Sequence, residues 1–107
     1  MWVCPFRARD RGRAHSLWPV DAATLYVNFG FWSEVRGRVA HPRGHFNRLI
    51  ERKLAALGGI KSLYSDSYYE ADEFWNIFDK PAYDRLKAKY HPQGRLSDLY
   101  RKCVLRE

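Results

Sequence analysis

The stretch Gly58–Phe78, GGIKSLYSDSYYEADEFWNIF, ends one helix, carries an extended run and starts a second helix within a single short span. Upstream of it, from about Arg43 to Leu57, the apolar residues Phe46, Leu49, Ile50, Leu54 and Leu57 recur at three-and-four spacing, as on one face of a helix. Arg48, Glu51, Arg52 and Lys53 fall to the outer face of that helix, and Gly58-Gly59 is its stop. Within the stretch, Ile60–Ser65 reads as a strand with Leu63 and Tyr64 as its bulk. Glu70–Phe78 then reads as a helix whose acidic first turn suits the positive end of the helix dipole, with Phe74, Trp75 and Phe78 facing inward.

The remaining elements are placed around this unit. Trp2–Phe6 reads as a short opening strand and Arg7–Ala14 as an exposed loop. Thr24–Trp32, TLYVNFGFW, is the strongest strand and is expected at the centre of a sheet, because its β-leaning residues are apolar on both faces except at Asn28. Glu34–Arg43 reads as a loop. Pro81 suits the first turn of a third helix running to Tyr90, with Tyr83, Leu86 and Tyr90 on one side. After a turn at His91–Gly94, Ser97 caps a last helix, Asp98–Leu105, that buries Leu99, Cys103 and Val104. The expected fold is therefore α+β: a small mixed or antiparallel sheet with helices on one side, ending in three short helices. The Arg-rich loop joins the first two strands as a long hairpin, and the helix between the second and third makes a crossover. Residues 1–107 read as a single domain, since a chain of 107 residues supports one core.

Apolar residues make up 46% of the chain and charged residues 29%, which excludes wholesale disorder, and no uncharged apolar run is long enough to span a bilayer. Arg7, Arg9, Arg11 and Arg13 follow the short apolar run Met1–Phe6 rather than precede it, unlike a signal peptide, so a cytoplasmic location is expected. Cys4 and Cys103 read as two reduced thiols. The net charge of +7 is uneven, because six of the twelve acids lie within Asp66–Asp84. Arg7–Arg13, with Trp2, Phe6, His15 and Trp18 nearby, has the composition of a nucleic-acid-contacting arm, although a solvated loop has the same composition.

Other constellations carry less chemistry. His41 and His45 stand four apart, but Pro42 and Gly44 separate them and no third ligand stands near in sequence, so no metal site is assigned. Cys103 lies among apolar helix residues with no His partner and reads as packing. Gly58-Gly59 follows a helix, whereas a phosphate loop precedes one. The polar and aromatic set Lys61, Tyr64, Asp66, Tyr68 and Tyr69 stands at an element end, where ligand contacts gather, although tyrosines at a core edge and a turn-forming Asp produce the same pattern.

The run LYSDSYYEADEFWNIFDKPAYDRLKAKY resembles the C-terminal part of FAD-linked oxidoreductases of the vanillyl-alcohol-oxidase superfamily, and more narrowly of the delta-24-sterol reductase-like group. The opening Trp2-Val3-Cys4-Pro5, the strand Leu25–Gly30 and the tail YHPQGRL, Tyr90–Leu96, are similar to motifs of the same group in the same order. The resemblance implies a substrate or cap region that covers a flavin held mainly by another domain, in an enzyme passing a hydride to or from flavin N5. It implies that Lys61, Tyr64, Asp66 and Tyr68, with Asn28 on a neighbouring strand, face the substrate and flavin. The Gly-rich flavin-binding segments have no counterpart in this sequence. The expectation is thus a fragment, inactive alone, partnered by an FAD-binding domain or polypeptide and a small-molecule or lipid-like substrate, with membrane association as part of the full enzyme. The alternatives are a basic nucleic-acid-binding protein acting through Arg7–Arg13 and an inactive remnant.

Overall fold

The computed structural model describes residues 1–9, 17–18, 20–91 and 93–107, which form two compact units, Met1–Ala40 and His41–Glu107. Most of the arginine arm, including Arg11 and Arg13, lies outside the described residues.

The first unit is built on two strands, β1 (Trp2–Phe6) and β2 (Tyr26–Gly30), paired antiparallel from Trp2 opposite Gly30 to Phe6 opposite Tyr26. Alternation places Trp2, Cys4, Phe6, Tyr26, Asn28 and Gly30 on one face, and Val3, Pro5, Val27 and Phe29 on the other. The first face partly covers itself: the Phe6 and Tyr26 rings stack at 5.5 Å, and the Trp2 indole fills the space a Cβ at Gly30 would need. Asp21 closes the turn before β2 by accepting from the Ala23 amide at 3.0 Å and the Thr24 hydroxyl at 2.7 Å. The second face is bare, with Phe29 62% exposed, Val3 50% and Val27 44%.

The second unit holds three helices, α1 (His45–Ala56), α2 (Ala71–Ile77) and α3 (Lys80–Tyr90), and a π-helical turn at Arg101–Leu105. Its core is Tyr69, Phe74 and Phe78, with Ile60, Leu63, Leu99, Tyr100 and Val104 packed against it. Aromatic edges meet there: Phe74 lies 4.6 Å from Phe78 and 5.3 Å from Tyr100, centroid to centroid. The helix termini follow from sequence. Gly58, at φ 68°, ends α1 in a Schellman motif, its amide donating to Ala55 O at 3.1 Å and that of Gly59 to Leu54 O at 2.8 Å. Glu70 and Glu73 form a reciprocal capping box on α2. Asp79 caps α3 through the Ala82 amide at 3.0 Å, with Pro81 in the first turn.

The α+β class and the antiparallel pairing of the first two strands stand as the sequence implies. Other expectations are overturned. Ile60–Ser65 is not a strand, so the crossover is absent and β2 is half of a two-stranded ribbon rather than a central strand. The physical reason lies in what the neighbouring backbone bonds to. Asp66 O accepts from Lys61 Nζ and Asn47 Nδ2, Ser65 O accepts from Ser67 Oγ, and the Tyr68 amide donates to Glu51, so side chains take the place of a sheet ladder. On α1, Glu51 is buried and Arg48 largely so, whereas Leu49 and Leu57 are exposed. On α3, Leu86 and Tyr90 are exposed while Ala82 is buried and Tyr83 half-buried. The last helix is a shorter π-helical turn, preceded by a cap in which Asp98 rather than Ser97 accepts from the Arg101 amide at 2.7 Å.

Candidate functional site

α1 carries Asn47, Arg48 and Glu51 toward the segment Gly58–Glu70, which folds against them instead of pairing in a sheet. Glu51 is the centre of the arrangement, at 1% exposure. Its Oε1 accepts from the Tyr68 amide at 2.9 Å and lies 3.5 Å from Lys61 Nζ, while its Oε2 lies 3.4 Å from Arg48 Nη1. Lys61 also donates to Asp66 O and, at 3.2 Å, to Ser67 Oγ. Arg48 reaches over to Glu73, joining α1 to the capping box of α2.

A buried carboxylate is tolerated because it is paired and its lone pairs are satisfied. Around it, burial pushes the Tyr69 phenol above its ordinary value, reinforced by the Glu51 charge. Partial burial works to raise the Glu73 carboxyl, but the Glu70 amide and the Arg48 guanidinium outweigh it and hold Glu73 below the usual carboxylate value.

The rim of this brace is more open. Arg106 reaches back from beyond the π-helical turn to Asp66 Oδ2 at 2.9 Å and donates to the Tyr68 hydroxyl at 3.2 Å, its guanidinium 5.5 Å from the Tyr68 ring centre. The Tyr68 ring packs in the space a Cβ at Gly44 would occupy, and Gly44 stands at φ 80°. Tyr68 thereby lines a groove of about 340 Å³ together with Arg43, His45, Arg48, Arg52 and Glu70. His41 and His45 stack at 4.2 Å beside Phe46. No group of three or more metal-ligating side chains gathers among the described residues.

Of the residues singled out in sequence, Lys61, Asp66 and Tyr68 come together in this brace. Tyr64 does not join them: it is 88% exposed, with its amide donating to Ser62 Oγ. Asn28 stands exposed on the ribbon of the first unit. Sequence reasoning missed Glu51, Arg48 and Arg106. For Glu51 a signal existed: it lies four residues after Asn47 and three before Leu54, on the same helical face.

These residues do not make a holding site for a dinucleotide such as FAD. Lys61 is committed to Glu51, Asp66 and Ser67, and the groove lies at the small end of the range for drug-sized ligands. The sequence's glycine pair closes a helix instead of opening one onto a phosphate.

The chain matches no protein-family model and no solved structure. It is 31% identical to Delta(24)-sterol reductase of Rattus norvegicus and 30% identical to that of Homo sapiens, each over 103 residues, and 26% identical over 104 residues to a Delta(24)-sterol reductase homologue of Caenorhabditis elegans. Each match covers 95% of this chain and 19% of the relative, so the chain spans about a fifth of the length of the proteins it matches. Among the described residues, no helix is long and apolar enough to cross a membrane. Over nearly its whole length the chain is similar to one segment of the Delta(24)-sterol reductases, consistent with their C-terminal part.

Proposed function

We propose that this chain is the substrate or cap segment of a delta-24-sterol-reductase-like FAD-dependent oxidoreductase, covering the flavin and positioning a sterol-like substrate for hydride transfer. The observation that carries it is the continuous similarity to Delta(24)-sterol reductases over 95% of the chain, at 30 to 31% identity for the mammalian proteins. Among the described residues the side chains of the brace are committed to one another, which supports a division of labour: an FAD-binding domain or polypeptide holds FAD, and this segment contributes a rigid wall. Within that wall the Glu51 brace fixes the Gly58–Glu70 segment, and Tyr68, Asp66 and Arg106 present hydrogen-bonding groups at its rim. A rigid, buried ion-pair support of this kind holds rim groups at constant geometry, which positioning requires. The site of action is cytoplasmic or at a membrane surface, as part of the full enzyme.

Flavin fluorescence tests the division of labour. Titrating FAD with this chain leaves its fluorescence and absorbance unchanged, whereas adding the chain to an FAD-loaded flavin-binding polypeptide of a Delta(24)-sterol reductase alters both. Tight stoichiometric FAD binding by the chain alone, or no effect on the loaded partner, contradicts the proposal.

A further inference from the structure

The groove beside the Glu51 brace is rich in donors and poor in free acceptors. Arg43, Arg48 and Arg52 line it together with Tyr68, Glu70 and Leu49. The acids at hand are already engaged: Glu51 and Glu73 pair with Arg48, Glu73 also accepts from the Glu70 amide, and Glu70 accepts from the Glu73 amide in the capping box of α2. Arg43 and Arg52, both exposed, make no ion pair among the described residues, although Glu73 feels the Arg52 charge. Arg48 and Arg52 stand four apart on α1, a spacing at which like charges repel. Tyr68 adds a hydroxyl that accepts from Arg106 and has no acceptor of its own among the described residues.

We propose that this groove binds a phosphate monoester, its anionic oxygens taken by the Arg43 and Arg52 guanidinium groups and the Tyr68 hydroxyl, with a compact organic part against Leu49. The inference stands on this arrangement and does not depend on the proposed function. Charge selects the ligand class. A phosphate monoester carries about −1.5 to −2 at neutral pH, matching the two guanidinium groups that lack a carboxylate partner, whereas a carboxylate ligand matches one. The planar forks of arginine also suit pairs of phosphate oxygens. At about 340 Å³ the groove has room for one such group and a small body beside it, but not for a dinucleotide. Small soluble esters and phosphatidic acid both carry this group.

Titration calorimetry of the full chain with phenyl phosphate and with benzoate tests the ligand class. Flotation with phosphatidylcholine vesicles, with and without phosphatidic acid, tests the source of the group. Phenyl phosphate binds at one per chain and more tightly than benzoate. Arg43→Gln/Arg52→Gln weakens that binding by roughly tenfold or more, Arg52→Gln weakens it in part, and Arg85→Gln, at an exposed arginine of α3, leaves it unchanged. Circular dichroism of each variant reports its folding. Binding of phenyl phosphate without flotation assigns the group to a soluble ester, and flotation that requires phosphatidic acid and is lost in the double variant assigns it to a lipid. Benzoate binding as tight as that of phenyl phosphate, an equal loss in Arg85→Gln, or full binding by the folded double variant overturns the inference. Absence of binding to both the ester and the vesicles overturns it as well.

Discussion

Replacing Glu51 by Ala removes the centre of the brace. The side chain is fully buried, and its loss takes from the Tyr68 amide its acceptor and from Lys61 its carboxylate partner. Removing one partner of a buried pair costs about 3–5 kcal/mol, and a hydrogen bond to a charged group about 1.5–3 kcal/mol. The lower end applies, because Arg48 keeps Glu73 and Lys61 keeps Asp66 O and Ser67 Oγ. The expected loss is about 3 kcal/mol, a large part of the 5–15 kcal/mol typical of a domain. Glu51→Gln retains an acceptor for Tyr68 without the charge and is expected to lose about 1–2 kcal/mol. Urea unfolding followed by circular dichroism, with the slope held constant between variants, measures both. If Glu51→Ala costs less than about 0.5 kcal/mol, the value of an ordinary surface substitution, the brace does not hold the segment and the reasoning fails.

Gly44→Ala meets both a positive φ and the Tyr68 ring, so a loss of about 1–3 kcal/mol is expected in thermal unfolding; an unchanged midpoint means that Tyr68 is not seated there. Phe74→Ala empties the middle of the aromatic core and is expected to cost about 3–5 kcal/mol by the same assay. Glu73 has its folded pKa held below the ordinary 4.5, so its contribution is present above that value and is lost as pH falls through the folded pKa. Acid unfolding of wild type and Glu73→Gln then converges as the pH falls below the folded pKa of Glu73, and an unchanged gap between them removes the Arg48–Glu73 link.

The α1 helix was legible because apolar spacing and a glycine with positive φ are local properties, written within one segment. The β1–β2 pair was legible for a related reason: two β-leaning runs joined by a polar loop have one simple way to pair. Ile60–Ser65 misled because a strand needs an edge to pair with, and this segment was met by the side chains of α1 instead. Glu51 and Arg48 misled in the complementary way. A charged residue on a helix is assigned to water by default, and only the arrival of Lys61, Tyr68 and Glu73 from later in the chain makes an inward carboxylate and guanidinium stable. Of the set Lys61, Tyr64, Asp66, Tyr68 and Asn28 expected from sequence, Lys61, Asp66 and Tyr68 share one segment and one brace, while their partners Glu51 and Arg106 come from 10 residues before Lys61 and 40 residues after Asp66. Helical spacing marks the face that Glu51 shares with Asn47 and Leu54 but not which later residues meet it, and Arg106 carries no periodic trace at all.

The proposed function requires that this chain do the work of the segment to which it is similar. Its most direct measurement is reduction of a Delta(24)-sterol by a rat reductase in which this chain's residues replace the matching segment. A folded chimera that retains FAD and reduces the sterol, and loses that activity with Tyr68→Phe/Asp66→Asn, is the predicted result. A folded, FAD-loaded chimera without sterol reduction contradicts the account.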